Sequence, residues 1–276
     1  MNIVHRLQAL AADIIDYILP QLKIGPKRPV PSVPGEKKVS QVGNEDYCAS
    51  QHQYTEEFLA DIDSFLADYV PLKKLKNVKS NQAIKHPNWS MGKKISIDSA
   101  TMMNKIFEVI ETQKIFGISK SRIKILIHEK SYVHAIIDFN SGLKKILVHD
   151  TNMQIPIFNT LYGDESKFIK NKDLDIDKMN NLNFKELDKK RFPLIDILKK
   201  IPDKDSLFET VVVSANDELV KHYLNKKISF NDLQRKLRFI TNHKEFTFYK
   251  KKKPSNISKI YKLNDYVRLK IKKLCI

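Results

Sequence analysis

The stretch HPNWSMGKKISIDSATMMNKIFE, residues 86–108, contains the clearest succession of secondary-structure signals in the chain. Its first residues predict a loop, because Pro87 and Gly92 interrupt regular structure. Residues 94–98 then alternate apolar and polar side chains, which predicts a short strand. From Ser99 onward the apolar residues recur at helical spacing. We therefore predict a loop, a strand and a helix, in that order.

The polar stripe of the predicted helix has the composition of an anion site. Ser99 stands at the predicted N-cap, where free backbone N–H groups and the positive end of the helix dipole favour negative charge. Asn104 and Lys105 follow on the helix, so we expect all three side chains to meet a bound anion. Glu108, one turn further on, offers a carboxylate to a cation. The alternative is an amphipathic helix with a solvated polar face.

Residues 86–105 also resemble a known signature, that of the 1-deoxy-D-xylulose 5-phosphate reductoisomerase family of non-mevalonate isoprenoid biosynthesis. The resemblance implies rearrangement of a phosphorylated C5 sugar and its reduction by NADPH, with Mg2+ or Mn2+ bound. It also implies roles for individual residues: His86, Trp89 and Met91 as catalytic flap residues, Ser99, Asn104 and Lys105 as substrate and phosphate ligands, and Glu108 as a metal ligand.

The resemblance covers residues 71–240 and includes departures from the family pattern. Ile106 stands where the family has glycine after the Asn-Lys pair. Before residue 71, Gly25, Gly35 and Gly43 are isolated, so no G-x-G-x-x-G dinucleotide loop is formed. No Asp-Ser-Glu triplet, the family's metal and substrate motif, occurs either. We therefore detect no Rossmann domain, and we expect the chain alone neither to bind NADPH nor to oxidise it.

The fold class predicted from these patterns is α+β. Residues 1–70 are predicted as a helical segment with a Pro/Gly-rich linker, 71–165 as a catalytic domain with a small antiparallel sheet, and 183–276 as a C-terminal helical domain. Strands are predicted at 122–128, 132–139 and 145–149, forming a meander with a turn at 140–142. Helices are predicted at 1–22, 53–70, 193–201, 207–224 and 230–240, the last with a capping box that begins at Ser229.

Two further motifs leave alternatives open. His128 and His134 could be metal ligands, but without a third partner in the sequence they are more typical of strand packing. Residues 213–220, VSANDELV, resemble the family's Asn-Ala-Ala-Asn-Glu region. They could form a functional loop or pack inside the C-terminal bundle.

The composition limits the classes of partner. The chain has 276 residues with a formal net charge of +17, and most of the positive charge is lysine spread along the sequence. Because arginine is scarce and aromatics are not interleaved with the cations, nucleic-acid binding is not favoured, whereas a phosphorylated substrate would benefit from the positive field. No apolar run reaches the length of a membrane span. Two distant cysteines, Cys48 and Cys275, favour a reducing cytoplasm.

Three functional hypotheses follow from the sequence. The first is a truncated or divergent reductoisomerase. The second is a non-catalytic remnant that binds phosphorylated sugars or forms a homodimer. The third is a basic interaction protein in which the motif is vestigial.

Overall fold

The computed structural model describes residues 54–60, 74–75, 78–84, 92–128, 130–162, 168–170 and 172–275. These residues form one five-stranded sheet together with α-helices and short 3₁₀ helices. The strands are β1 (Tyr54–Ala60), β2 (Ile123–His128), β3 (Val133–Phe139), β4 (Lys144–Val148) and β5 (Phe184–Glu186). The α-helices are α1 (Ser80–Ala83), α2 (Lys93–Thr101), α3 (Met103–Phe116), α4 (Gln154–Tyr162), α5 (Ile176–Asn180), α6 (Phe208–Leu224), α7 (Phe230–Asn242), α8 (Lys244–Thr247) and α9 (Ile257–Cys275). Lys120–Arg122, Pro193–Lys200 and Phe248–Lys251 are 3₁₀ helices. The predicted α+β class is thereby confirmed.

The sheet has the strand order β4-β3-β1-β2-β5. Three of its four strand pairs are antiparallel, and β1 with β2 is parallel. The predicted hairpin between β3 and β4 is present, and its turn places Gly142 at φ +83°, a value that glycine adopts without strain. The predicted meander is wrong at one point, because β1 lies between β2 and β3 and pairs with both.

The prediction of a helix over 53–70 is wrong for residues 54–60, which form β1. Leu59 lies opposite Ile125 of β2 on one side and Ala135 of β3 on the other. A central strand has its backbone N–H and C=O groups satisfied from both sides, and this outweighs a helical side-chain pattern. Residues 61–70 of that predicted helix, and the whole predicted helix 1–22, lie outside the described residues.

The prediction of a strand over 94–98 is also wrong, because these residues lie in α2. The helix begins at Lys93 after the N-cap Gly92, so Ser99 is not an N-cap but belongs to the last turn of α2. The alternation of polar and apolar residues over 94–98 does not separate an exposed face from a buried one. Ser96, Ile97 and Asp98 are all buried, the polar residues as well as the apolar one.

The main hydrophobic core joins α2 and α3 to the C-terminal helices. Ile97 and Ile106 belong to the same buried cluster as Val212 and Leu219 of α6 and Val267 of α9. On its other side α3 packs against the sheet, where Val109 forms a second cluster that includes Ile123 and Ile137. The helix therefore lies between the sheet and the C-terminal helices.

The C-terminal helices were predicted well. The segment 193–200 is a 3₁₀ helix, and α6 and α7 match the predicted ranges 207–224 and 230–240 to within two residues. The predicted capping box is present at the start of α7, where Ser229 Oγ accepts a hydrogen bond from the Asp232 N–H and the Asp232 carboxylate accepts one from the Ser229 N–H. In the part of the chain described, no helix is both long and apolar enough to cross a membrane.

Candidate functional site

A break between two helices positions the three predicted anion ligands. Met102 has φ 64° and is fully buried, and its N–H donates to the Ser99 carbonyl at 3.1 Å. This left-handed residue ends α2 and starts α3. Ser99 consequently lies in the last turn of α2, while Asn104 and Lys105 lie in the first turn of α3. The N-terminal end of a helix, which favours anions, is therefore present at α3, three residues later than the sequence had indicated.

The three side chains differ in burial and in hydrogen bonding. Ser99 is 3% exposed and Lys105 is 4% exposed. The Asn104 Oδ1 atom is buried and has no hydrogen-bond partner among the described residues. A buried amide oxygen without a partner costs free energy, so a ligand or solvent donor at this position would be stabilising.

The ammonium group of Lys105 is also held by a carboxylate. Lys105 Nζ lies 2.7 Å from Glu108 Oε2, and both side chains are largely buried. This ion pair joins two residues that lie one helical turn apart, and it fixes the ammonium group of Lys105 at the start of α3. Glu108 is thereby placed beside the proposed phosphate ligands rather than in open solvent.

Glu111 is a second carboxylate on the same face of α3, and it had not been predicted as a site residue. Burial, together with repulsion from the Glu108 carboxylate, raises the pKa of Glu111 to about 8. The sequence signal for it was its position three residues after Glu108, since residues at this spacing are neighbours on a helix surface.

These carboxylates do not form a complete divalent-metal site. Mg2+ prefers six oxygen ligands and holds only weakly to one or two carboxylates. Among the described residues no group of three or more His, Cys, Asp and Glu side chains could hold a metal ion. Glu108 and Glu111 therefore fit only part of a metal site.

A buried polar network attaches α2 to the C-terminal helices. The Asp98 carboxylate is fully buried, accepts a 2.7 Å hydrogen bond from the Asn216 amide and lies 2.5 Å from Lys94 Nζ. Burial raises the pKa of Asp98, although Lys94 and Asn216 oppose this shift. Burial by itself would lower the pKa of Lys94. The attraction of the Asp98 and Asp217 carboxylates outweighs this effect, so the pKa of Lys94 is raised.

The same network continues to α9. Asp217 Oδ1 lies 3.0 Å from Lys94 Nζ, and Asp217 Oδ2 lies 2.8 Å from the guanidinium of Arg268. Residues 213–220 are therefore a packed part of α6, not a loop. Their polar side chains connect α6 to α2 on one side and to α9 on the other, which settles the choice left open by the sequence in favour of packing.

The remaining predicted residues lie outside the described part of the chain or on the sheet. His86, Trp89 and Met91 lie outside the described residues. His128 is 1% exposed on β2, and its Nδ1 lies 3.4 Å from the Asn183 carbonyl. His134 stacks on His149 with ring centroids 3.6 Å apart. The two histidines therefore have packing contacts, as the sequence favoured.

Comparison with known proteins identifies the family. Two family models match the chain: the 1-deoxy-D-xylulose 5-phosphate reductoisomerase C-terminal domain over residues 64–116 and the DXP reductoisomerase C-terminal domain over residues 149–270. A 1-deoxy-D-xylulose 5-phosphate reductoisomerase from Pelagibacter ubique is 57% identical over 205 residues, which are 74% of this chain and 53% of that protein. The chain belongs to the 1-deoxy-D-xylulose 5-phosphate reductoisomerase family.

Other reductoisomerases are similar over a comparable part. The enzyme from a Sulfurihydrogenibium species is 37% identical over 166 residues, 60% of this chain and 44% of that protein. A crystal structure of DOX-P reductoisomerase in complex with NADPH, fosmidomycin and magnesium superposes with a TM-score of 0.72 at 26% identity, covering 81% of this chain and 55% of that one. The Zymomonas mobilis reductoisomerase in complex with NADPH gives a TM-score of 0.67 at 25% identity, over 81% of this chain and 56% of that one. The chain thus spans about half the length of the reductoisomerases it matches.

Proposed function

We propose that this chain forms the substrate-binding part of a reductoisomerase and that it binds a phosphorylated C5 sugar at the break between α2 and α3. The observation that carries the proposal is the left-handed Met102, which brings the end of α2 next to the start of α3. In this arrangement Ser99, Asn104 and Lys105 bind the substrate and its phosphate. The first-turn N–H groups of α3 add donors that have no partner inside the helix.

The charges at the break suit a phosphate monoester. Lys105 is nearly fully buried, and an ammonium group in such surroundings attracts a phosphate more strongly than one in water. Glu108 accepts a hydrogen bond from Lys105 and holds its ammonium group at the start of α3. The unpartnered Asn104 oxygen is suited to a hydroxyl group of the sugar.

The other roles implied by the family are part of this proposal. Glu108 supplies one carboxylate to Mg2+ or Mn2+, and His86, Trp89 and Met91 close over the substrate as a flap. One solved reductoisomerase structure holds NADPH and magnesium together with fosmidomycin. NADPH is the cofactor that the resemblance implies for the family, whereas we expect this chain alone not to bind it. A homodimer, a cytoplasmic location and the division of the chain into segments 1–70, 71–165 and 183–276 are further proposals for this chain.

A second candidate is sugar-phosphate binding without turnover. It is favoured by the lack of a G-x-G-x-x-G loop in the sequence and by the incomplete set of carboxylates among the described residues. Binding is common to both candidates and is tested first, because turnover then separates them.

The test is a calorimetric titration with 1-deoxy-D-xylulose 5-phosphate and with unphosphorylated 1-deoxy-D-xylulose. We expect the phosphorylated sugar to bind more tightly, and Lys105→Ala to weaken it by about 1–3 kcal/mol through loss of a charge-assisted contact. Lys114→Ala is the matched control, because it removes the same charge from the same helix where the lysine is paired with Asp205 at the surface. Equal affinity for the two sugars, or equal effects of the two substitutions, would refute the proposal.

A further inference from the structure

A groove with a cavity volume of about 650 Å³ lies on the C-terminal helices, between α7 and the residues that precede the 3₁₀ helix Pro193–Lys200. It is separate from the α2–α3 break, and none of its lining residues belongs to α2 or α3. Four cationic side chains line it: Lys190, Arg191, Arg235 and Arg238. Among the described residues, no carboxylate lines it. The groove is within the size range of small-molecule sites in proteins.

The helical period of α7 creates one wall of this groove. Leu233, Leu237 and Ile240 are buried in the main core. Residues on the opposite stripe, including Arg235, Arg238 and the 55%-exposed Phe239, face the groove. The second wall brings Lys190 and Arg191 to the same space. A solvated helix face alone would not gather like charges from two separate segments.

The positive charge in this region is only partly neutralised. Asp232 pairs with Arg235 at 2.7 Å. Among the described residues, the Arg238 guanidinium has no ion-pair partner, although Asp196 feels its charge. Burial lowers the pKa of the nearby Lys200, and repulsion from Arg238 and Lys250 lowers it further. Like charges that repel one another in this way are stabilised by a bound polyanion.

The groove also contains side chains that can stack on a flat, polar ring and form hydrogen bonds with it. Phe239 is 55% exposed and lines the groove together with Arg235 and Arg238, and its ring also lies 5.4 Å from the ring of His243 in a tilted contact. The amides of Asn231, Gln234 and Asn242 line the same space and can both donate and accept hydrogen bonds. Guanidinium groups bind phosphates bidentately, and an aromatic side chain stacks on a nucleobase.

We propose that this groove is a binding site for a nucleoside di- or triphosphate, with the phosphates on Arg235, Arg238 and the Lys190–Arg191 pair and the base on Phe239. The site goes beyond the proposed sugar-phosphate function and does not depend on it. It lies on another part of the fold, so the two ligands can bind together.

The test is calorimetry of the full chain with ATP, in magnesium-free buffer at about 0.15 M salt, where weak attraction to a chain of charge +17 is largely screened. We expect Arg238→Gln to weaken ATP about tenfold or more, and Phe239→Ala about fivefold or more. Lys236→Gln is the matched control. It removes one positive charge from the same helix, at a side chain that donates to the Leu274 carbonyl and does not line the groove. We expect it to change the affinity less than about twofold.

Three further titrations identify the ligand and the site. Tripolyphosphate should bind more weakly than ATP, and adenosine should not bind. Lys105→Ala should leave ATP binding unchanged while it weakens the sugar phosphate, so the two proposals can fail separately. Absence of ATP binding would overturn the nucleotide site, as would equal affinity for ATP and tripolyphosphate or equal effects of Arg238→Gln and Lys236→Gln. Thermal melts establish that each variant is folded, which is expected because Arg238 and Phe239 are exposed.

Discussion

The Asn216 amide donates a 2.7 Å hydrogen bond to the buried Asp98 carboxylate and thereby joins α2 to the middle of α6. Asp98 immediately precedes Ser99, so this contact sets where the end of α2 lies. The proposed anion ligands are therefore held by a polar contact between residues 118 positions apart in the sequence.

Asp98→Ala should be strongly destabilising. It leaves the buried Asn216 amide without its acceptor, while Lys94 keeps Asp217 as a partner, so we expect a loss of about 1–3 kcal/mol in the free energy of unfolding. Urea denaturation measures this loss. Asp205→Ala provides the comparison, because its carboxylate is 57% exposed and pairs with Lys114 at the surface, where such pairs contribute less than about 1 kcal/mol. Similar losses in both variants would show that the buried contact does not hold α2.

Glu111 should make stability depend on pH. Its pKa is about 8 in the folded chain, whereas a glutamate ordinarily titrates at 4.5, so between these values the folded state binds more protons than the unfolded state. This contribution to stability is therefore present below about pH 4.5 and is lost as the pH rises towards 8.

Glu111→Gln removes this titration, so the variant should gain stability relative to wild type between pH 5 and pH 8.5. Chemical denaturation of both proteins across this range measures the difference. Glu186→Gln, at an exposed glutamate on β5, is the control. A wild-type–variant difference that does not change with pH would contradict the assignment of Glu111 as a carboxyl held in its protonated form.

The features that could be predicted from the sequence are those determined locally. The capping box at Ser229 and the apolar period after it define α7. Asn140, Ser141 and Gly142 define the turn between β3 and β4, because glycine at φ +83° closes it without strain. In both cases the signal lies within a few residues of the structure that it predicts.

The features that were missed depend on distant contacts. Residues 94–98 read as a strand because polar and apolar residues alternate, yet Asp98 is buried as part of a helix through Asn216 and Lys94. The left-handed Met102 has no glycine or asparagine to signal it, and it is maintained by complete burial of its side chain. Ser99, Asn104, Lys105 and Glu108 were predicted as ligands from the helical pattern and from the family resemblance. The helix break that separates Ser99 from the other three became visible only in the structure.

The isolated chain is predicted not to consume NADPH with 1-deoxy-D-xylulose 5-phosphate and Mg2+. The sequence has no Gly-rich turn for the pyrophosphate of the cofactor, and Glu108 with Glu111 supplies too few oxygen ligands to hold the metal firmly. Absorbance at the wavelength of NADPH follows the reaction, with a full-length reductoisomerase as positive control. NADPH consumption that disappears in Glu108→Gln would contradict this prediction and would place a working cofactor site in this chain.

The central claim is that the break between α2 and α3 binds the phosphate of a C5 sugar. A crystal structure of the chain with 1-deoxy-D-xylulose 5-phosphate tests it most directly, because it locates the phosphate without relying on activity. We predict phosphate density within hydrogen-bond distance of Ser99 Oγ and Lys105 Nζ, with Asn104 contacting the same ligand. Sugar-phosphate density in the α7 groove or at another surface, with none at the break, would contradict the claim.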